Sequence, residues 1–232
     1  EKVQGAHVLP HLSRVKSSQQ IMGTLVKYGY GAERGLPPQS IYHVSIMPCF
    51  DKKLEASRDD FFNPAAGADG SRDVDCVLSS AEVLDLLRER GLSSLDQVDG
   101  CDPDRDPDFS GLDEAGSGFC YGAPGASGGY AEYVFRTAAF ELFGIDLGDS
   151  ALTWKAGRNK DVAELVLEKE GQVLLRFARA YGFRNIQNVV RRVKGGTSPY
   201  HFVELMACPA GCANGGGQPR PNKLEAIGRA NA

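Results

Sequence analysis

Apolar positions along the chain alternate between helical and strand spacing. Ile21, Met22, Leu25 and Val26 recur at helical spacing behind Ser17-Ser18-Gln19-Gln20, which predicts a capped helix with Met22 in the core. Leu36-Pro37-Pro38 then breaks the chain. The run IYHVSIM, residues 41–47, predicts a buried strand that stops at Pro48-Cys49 before a helix from Asp51. DVDCVL, residues 73–78, predicts a short strand with Cys76 as a small core residue. A helix follows over residues 80–90, capped by Ser79 or Ser80, with Val83, Leu84, Leu86 and Leu87 facing inward. Gly125 to Gly129 opens a helix that runs to Phe143, with Tyr130, Val134, Ala138 and Leu142 on one face. Residues 163–168 and 172–178 predict a hairpin around Lys169-Glu170-Gly171. The stretch from Gly182 leads into a helix whose basic last turn, Arg191 to Lys194, suits the helix dipole, with glycine at its C-cap. A last strand, Phe202 to Met206, stops at Cys208.

The order of these elements is α/β: strands carry Cys49 and Cys208 to their carboxyl ends and helices cover the sheets. Two portions are expected, residues 1–122 and 123–232, the first ending in a long loop from Leu92 to Ala123 rich in Asp, Gly and Pro. A net charge of −4 leaves no electrostatic case for direct nucleic-acid binding. No apolar run reaches the ~18 residues of a membrane span, so no membrane partner is expected. The first residues, EKVQGAHVLPHLSR, lack a signal-peptide core and an initiating Met, so a piece of a longer protein is expected. Six dispersed cysteines fit reduced thiols better than a disulfide scaffold. His7 and His11 have no ligand spacing and are read as surface or packing groups.

Candidate chemistry is uneven. Asp102, Asp104, Asp106 and Asp108 alternate, but Pro107 and Asp113 stand where a calcium loop needs Gly and Glu, which leaves a solvated acidic loop. The Gly-rich helix start before Tyr130 fits neither common phosphate-binding pattern. Cys208 and Cys212 are stronger: their C-x3-C spacing, followed by Gly215-Gly216-Gly217, lets two thiols face one ion or cluster while the backbone comes close. Clustered thiolates suit zinc or an iron–sulfur cluster, and the spacing alone does not choose. Cys49 sits where a strand meets a helix start, the usual place for a site in an α/β sheet, with Lys52 and Glu55 just after it. Cys101 and Cys120 match no pattern.

FVELMACPAGCANGGGQP, residues 202–219, resembles the third signature of the iron-only hydrogenase large-subunit family, and MPCFDKKLEASR, residues 47–58, resembles the second. The resemblance covers almost the whole chain. It implies a hydrogenase-like α/β fold in two lobes, with mainly parallel sheets covered by helices around a central cluster cleft. It also implies that Cys49, Cys208 and Cys212 are cluster ligands, that Lys52 contacts the cofactor, and that Gly215 and Gly216 line it. Glu55 matches the glutamate of the second signature.

Within the family, LEASRDDFFN, DVDCVL, LEKEGQVLLRFARAYGFRNIQN and MACPAGCANGGGQ are most similar to the cytosolic iron–sulfur protein assembly factors, also called iron-only hydrogenase-like or nuclear prelamin A recognition factor-like proteins. That branch implies a 4Fe–4S cluster, delivery toward a targeting complex that includes a WD-repeat protein, and a location in the cytoplasm and also the nucleus. The alternative is an iron-only hydrogenase with a two-iron active site. Hydrogenases typically carry C-x-G-G-C, whereas Pro209 and Ala210 here remove an N–H and add a Cβ. That leaves less room for a two-iron unit and favours the assembly branch, with no catalytic residue assigned. A 4Fe–4S cluster usually takes four cysteines, so a fourth ligand is expected upstream of Glu1, and residues 1–232 alone are expected to hold the cluster poorly. A third class, a binding module for prelamin-type tails, has no residue pattern to test it.

Overall fold

The computed structural model describes residues 5–92, 129–148, 150–157 and 159–219. In chain order its helices are α1 (Gly5–Val8), α2 (Ser18–Thr24), α3 (Gly31–Glu33), α4 (Asp51–Ala56), α5 (Ser80–Glu89), α6 (Tyr130–Phe143) and α7 (Phe183–Lys194). Its strands are β1 (Val44–Met47), β2 (Phe62–Asn63), β3 (Ser71–Arg72), β4 (Cys76–Ser79), β5 (Lys155–Ala156), β6 (Val162–Lys169), β7 (Gln172–Tyr181) and β8 (Phe202–Met206). The chain divides into two compact units, each built from separate stretches. The Cys49 unit joins Ser13–Val98 to Gly215–Ala232; the Cys208 unit joins Glu1–Leu12 to Asp99–Asn214. The boundary expected at residue 122, the acidic loop beyond Leu92, and Cys101 and Cys120 lie outside the described residues.

In the Cys49 unit, β1 and β4 pair in parallel with Val44 opposite Cys76 and Met47 opposite Ser79. Ala56, Val74 and Val77 form its small core, with Met47 packed against them. β1 is shorter than the expected strand and is not buried: Ser45 points inward, while Ile46 is 59% exposed and Val44 is exposed too. The stripe expected after Ser17 is met only in part: Val26 is buried and Ile21 half-buried, but Met22 and Leu25 face away from the core. Gln19 and Gln20 are 1% and 0% exposed, whereas Met22 is 48% exposed and Leu25 is exposed beside it. The reason is local. Both ends of the Gln19 amide and the Nε2 of Gln20 find partners in Ser45, Lys52 and Glu55, so the polar side of α2 can face the protein; the Gln20 Oε1 is buried without one. Leu25–Tyr30 continues α2 with wider turns, the Gly31 N–H reaching back to the Val26 carbonyl, and brings Lys27 inside. Lys27 is 1% exposed; its ammonium lies 2.7 Å from the Asp75 carboxylate and 3.0 Å from the Ser71 hydroxyl.

α5 starts where predicted. Ser79 caps it, accepting from the Glu82 N–H, and the Glu82 carboxylate accepts from the Ser79 N–H in return, a full capping box. Val83, Leu84 and Leu87 are only half-buried and Leu86 is exposed, so α5 lies over the edge of a small sheet rather than inside a core.

The Cys208 unit is built on a sheet in the order β5-β6-β7-β8. β6 and β7 form the predicted hairpin, joined by Glu170 and Gly171, both at positive φ, as a two-residue hairpin turn requires. α7 crosses over to bring β8 back parallel to β7. Phe135 and Ala139 of α6 pack on Leu165, Leu175 and Phe177 of the sheet, and the rings of Phe135 and Phe177 meet edge-on at 5.1 Å. The buried stripe of α6 is Ala131, Phe135 and Ala139; the predicted stripe beginning at Tyr130 lies beside it, and Leu142 is exposed. The α/β expectation is met, but the sheets are mixed. Among the described residues β1–β4 and β7–β8 are parallel, while β2–β3, β5–β6 and β6–β7 are antiparallel, because tight turns can join only antiparallel strands. No described helix is long and apolar enough to cross a membrane.

Candidate functional site

Cys208 and Cys212 bracket one tight turn at the carboxyl end of β8. The Gly211 N–H bonds back to the Cys208 carbonyl at 3.1 Å, with Pro209 and Ala210 at the centre of the turn. Ala210 has φ 57, at the position where a type II turn favours glycine, and Gly211 follows at φ 91. Asp161 holds this uncommon conformation: its Oδ1 accepts from the Ala210 N–H at 2.7 Å. Asp161 is fixed in turn, its carbonyl accepting from the Tyr181 N–H and its own N–H donating to Asn159. On the far side the Asn214 amide donates to the Pro209 carbonyl at 3.3 Å. The Cys212 sulfur lies 3.6 Å from the Met206 sulfur, and both cysteines are half-buried.

β8 carries one more polar group inward. Glu204, opposite Arg179 on β7, is buried, and its carboxylate accepts the N–H groups of Tyr130 and Ala131 at the start of α6. Burial holds its carboxyl above the usual glutamate range, and Glu132 adds to this, against the two N–H bonds and Arg179. An acid raised in the folded state binds more protons folded than unfolded just above the ordinary value, so stability falls as pH rises through that window. Glu204→Gln is therefore expected to flatten the fall in melting temperature as pH rises above the ordinary glutamate value of about 4.3, with no loss at neutral pH. A steeper fall in the variant would contradict this.

In the Cys49 unit, β1 ends at Met47 and α4 begins at Asp51, leaving Cys49 half-buried on the bend between them. The Lys52 ammonium donates to Glu55 at 2.8 Å. Glu55 also accepts from the Ser17 hydroxyl and, at 3.4 Å, from the Gln20 amide. Burial alone would raise its carboxyl, but the Lys52, Ser17 and Gln20 donors outweigh burial and hold it below the ordinary range.

The glycine run docks against the same bend. The Gly217 N–H donates to the Pro48 carbonyl at 2.9 Å, and the Gly217 carbonyl accepts from the Ala81 N–H at 2.9 Å. A Cβ on Gly217 would sit 2.8 Å from the Ser79 Cβ and 3.1 Å from the Pro48 carbonyl oxygen, so this glycine lets two stretches of the chain itself come close. A Cβ on Gly216 would meet only the Phe50 ring, at 3.9 Å, and Gly215 is buried.

Cys49, Lys52, Gly215 and Gly216 thus belong to one unit, and Cys208 and Cys212 to the other. Among the described residues no three His, Cys, Asp or Glu side chains form a group that could hold a metal ion. Cys76 is half-buried at the start of β4. Asp161, Gln19 and Glu204 escape sequence reading. Asp161 stands in an unpatterned polar loop, Gln19 reads as part of a cap, and Glu204 reads as a charge interrupting a strand.

The chain belongs to the family described as "Iron only hydrogenase large subunit, C-terminal domain", which matches residues 2–216. Among curated proteins it is similar to "Cytosolic iron-sulfur assembly component 3" of Pongo abelii, 54% identical over 223 residues, covering 94% of this chain and 44% of that protein. It is also similar to "Cytosolic Fe-S cluster assembly factor narfl" of Danio rerio, 49% identical, covering 96% of this chain and 52% of that protein. The chain spans about half the length of these relatives. Among solved structures it is similar to the apo FeFe-hydrogenase HydA1 from Chlamydomonas reinhardtii, at 28% identity and TM-score 0.68, covering 97% of this chain and 60% of that one. A second FeFe-hydrogenase structure gives 27% identity and TM-score 0.69, covering 97% and 59%.

Proposed function

We propose that this chain is an iron–sulfur cluster-binding part of the cytosolic iron–sulfur assembly machinery, with Cys49, Cys208 and Cys212 as thiolate ligands to a 4Fe–4S cluster. One observation carries the reading: two half-buried thiols bracket a turn held in a left-handed conformation by Asp161. An all-thiolate donor set suits the soft iron of such a cluster. Bound there, the cluster would supply one-electron chemistry and an inorganic core that can be passed on. The chain's own residues do the rest. The Cys208–Gly211 turn fixes the spacing of two thiols, Lys52 brings a cation held by Glu55, and Gly215 and Gly216 present backbone without Cβ. The fourth ligand position falls to a group other than these three cysteines. The names of the relatives support a cytosolic role. A WD-repeat protein of the targeting complex is the proposed partner, and the nucleus a second location.

The hydrogenase alternative draws on the FeFe-hydrogenase structures and on Lys52. Sequence identity favours assembly, at 49–54% against 27–28%. The test is iron and acid-labile sulfide, with EPR, on the full-length protein purified without oxygen. Cys49→Ala and Cys212→Ala are expected to abolish the same cluster signal. Zinc in place of iron would overturn the reading, and hydrogen evolution after loading with the two-iron cofactor would favour the hydrogenase.

A further inference from the structure

We propose that Gln19 is a positioning residue for Cys49, clamping the backbone on both sides of that thiol through one buried carboxamide. Its Nε2 donates to the Lys52 carbonyl at 3.1 Å, and its Oε1 accepts from the Ser45 hydroxyl at 2.9 Å. Ser45 lies on β1 four residues before Cys49, and Lys52 lies in α4 three residues after it. Both segments are short, four residues in β1 and six in α4. A helix of that length has little stability of its own in water. The bend that carries Cys49 therefore depends on neighbours: β4 beside β1, Gly217 at the Pro48 carbonyl, and α2 on both flanks of the thiol. Gln20 and Ser17, from the same turn of the chain, fasten Glu55 and through it Lys52.

The orientation of α2 argues against simple packing. The helix has Met22 and Leu25 available as an apolar face, yet turns them to solvent and buries two amides. Burying an unbonded amide is costly, and the Gln19 carboxamide is bonded at both ends, whereas the Oε1 of its neighbour Gln20 is buried without a hydrogen-bond partner. The Gln19 bonds go to the two segments that flank Cys49. Outer groups of this kind, which orient a ligand without touching the metal, typically change metal affinity by about 10- to 100-fold when removed.

The inference rests on Cys49 being a cluster ligand, so the experiment separates the two claims. Gln19→Met, Ser45→Ala and, as a core control in the same unit, Val74→Ala are made in the full-length protein. Alkylation of Cys49 by iodoacetamide is followed in the apo-protein by peptide mass mapping. EPR, midpoint potential and the rate of iron loss to a chelator are measured on the anaerobically purified protein. Gln19→Met is expected to change Cys49 alkylation several-fold, shift the EPR signal and potential, and speed iron loss by about tenfold. Ser45→Ala is expected to do the same more weakly. Val74→Ala is expected to lower the melting temperature and leave the other readouts unchanged. If Gln19→Met behaves as Val74→Ala does, the positioning role is overturned; if it does not fold, unchanged alkylation and spectra in Ser45→Ala overturn it. Should Cys49→Ala keep its cluster signal, the ligand assignment fails, while a changed Cys49 alkylation rate in Gln19→Met still upholds the clamp.

Discussion

Lys27→Met is expected to destabilise the Cys49 unit by about 3 kcal/mol, which for a unit of this size lowers the melting temperature by roughly 10–20 °C. Methionine fills nearly the volume of the lysine stem, so the loss is electrostatic and not a cavity. In the native protein the ammonium sits 2.7 Å from Asp75 and 3.0 Å from Ser71. Removing it leaves the Asp75 carboxylate with the His43 N–H, at 2.7 Å, and without a counter-charge. Breaking a buried pair from one side costs about 3–5 kcal/mol. The lower end applies because the Asp75 side chain is 21% exposed and can recover some water. Adding Asp75→Asn should restore a large part of the loss, since an amide needs no counter-charge. Thermal melts followed by circular dichroism check both. A single variant that melts with the wild type would show that the pair offsets only its own desolvation.

The parts of this molecule that sequence made legible are those with a local physical signature. The hairpin announced itself through Gly171 between two apolar runs, because a two-residue turn needs positive φ and glycine supplies it; Glu170 adopts φ 53 although its side chain does not favour it. The start of α5 was legible because serines stand just before the helical spacing of Val83, Leu84 and Leu87, the place of an N-cap; the structure selects Ser79 and adds Glu82 as its reciprocal partner. The positions of Cys49 and Cys208 after strands followed from apolar runs ending abruptly, and the family likeness rests on the motifs around them. What failed was the side each element shows to the core. Periodicity places Ile21, Met22, Leu25 and Val26 on one stripe, and Val26 is buried as that predicts; but only the partners waiting at Ser45, Lys52 and Glu55 decide that the glutamines go inside and Met22 and Leu25 outside. β1 failed in the same way, since an apolar run reads as buried whether or not both faces are covered. Asp161 was invisible because its work is done across 49 residues of sequence, on the Ala210 N–H.

Gly23→Ala is expected to destabilise the Cys49 unit by about 2 kcal/mol, against the direction that helix propensity alone dictates. Gly23 is buried in α2, where alanine would normally gain up to about 1 kcal/mol. Here an added Cβ would lie 2.1 Å from the Asp73 carbonyl oxygen and 3.0 Å from a methyl of Val74. The first is main chain and has no rotamer to escape into. Asp73 is also tied down, its N–H bonded to the Phe61 carbonyl at 3.0 Å and its carboxylate to Lys16 at 2.6 Å. Val74 is 1% exposed in the small core, so the segment between β3 and β4 cannot retreat without opening it. Forcing a methyl into a packed site costs about 1–3 kcal/mol and sometimes more. Gly29, six residues on in the wider turns, is the matched control: nothing lies within 4 Å of its would-be Cβ and its φ is not positive. Gly29→Ala is expected to raise stability by up to about 1 kcal/mol through the unfolded chain. Opposite signs in the two melts would show that α2 is held at Gly23 by contact with the Asp73 main chain, and the same sign in both would mean that the helix can slide away from it.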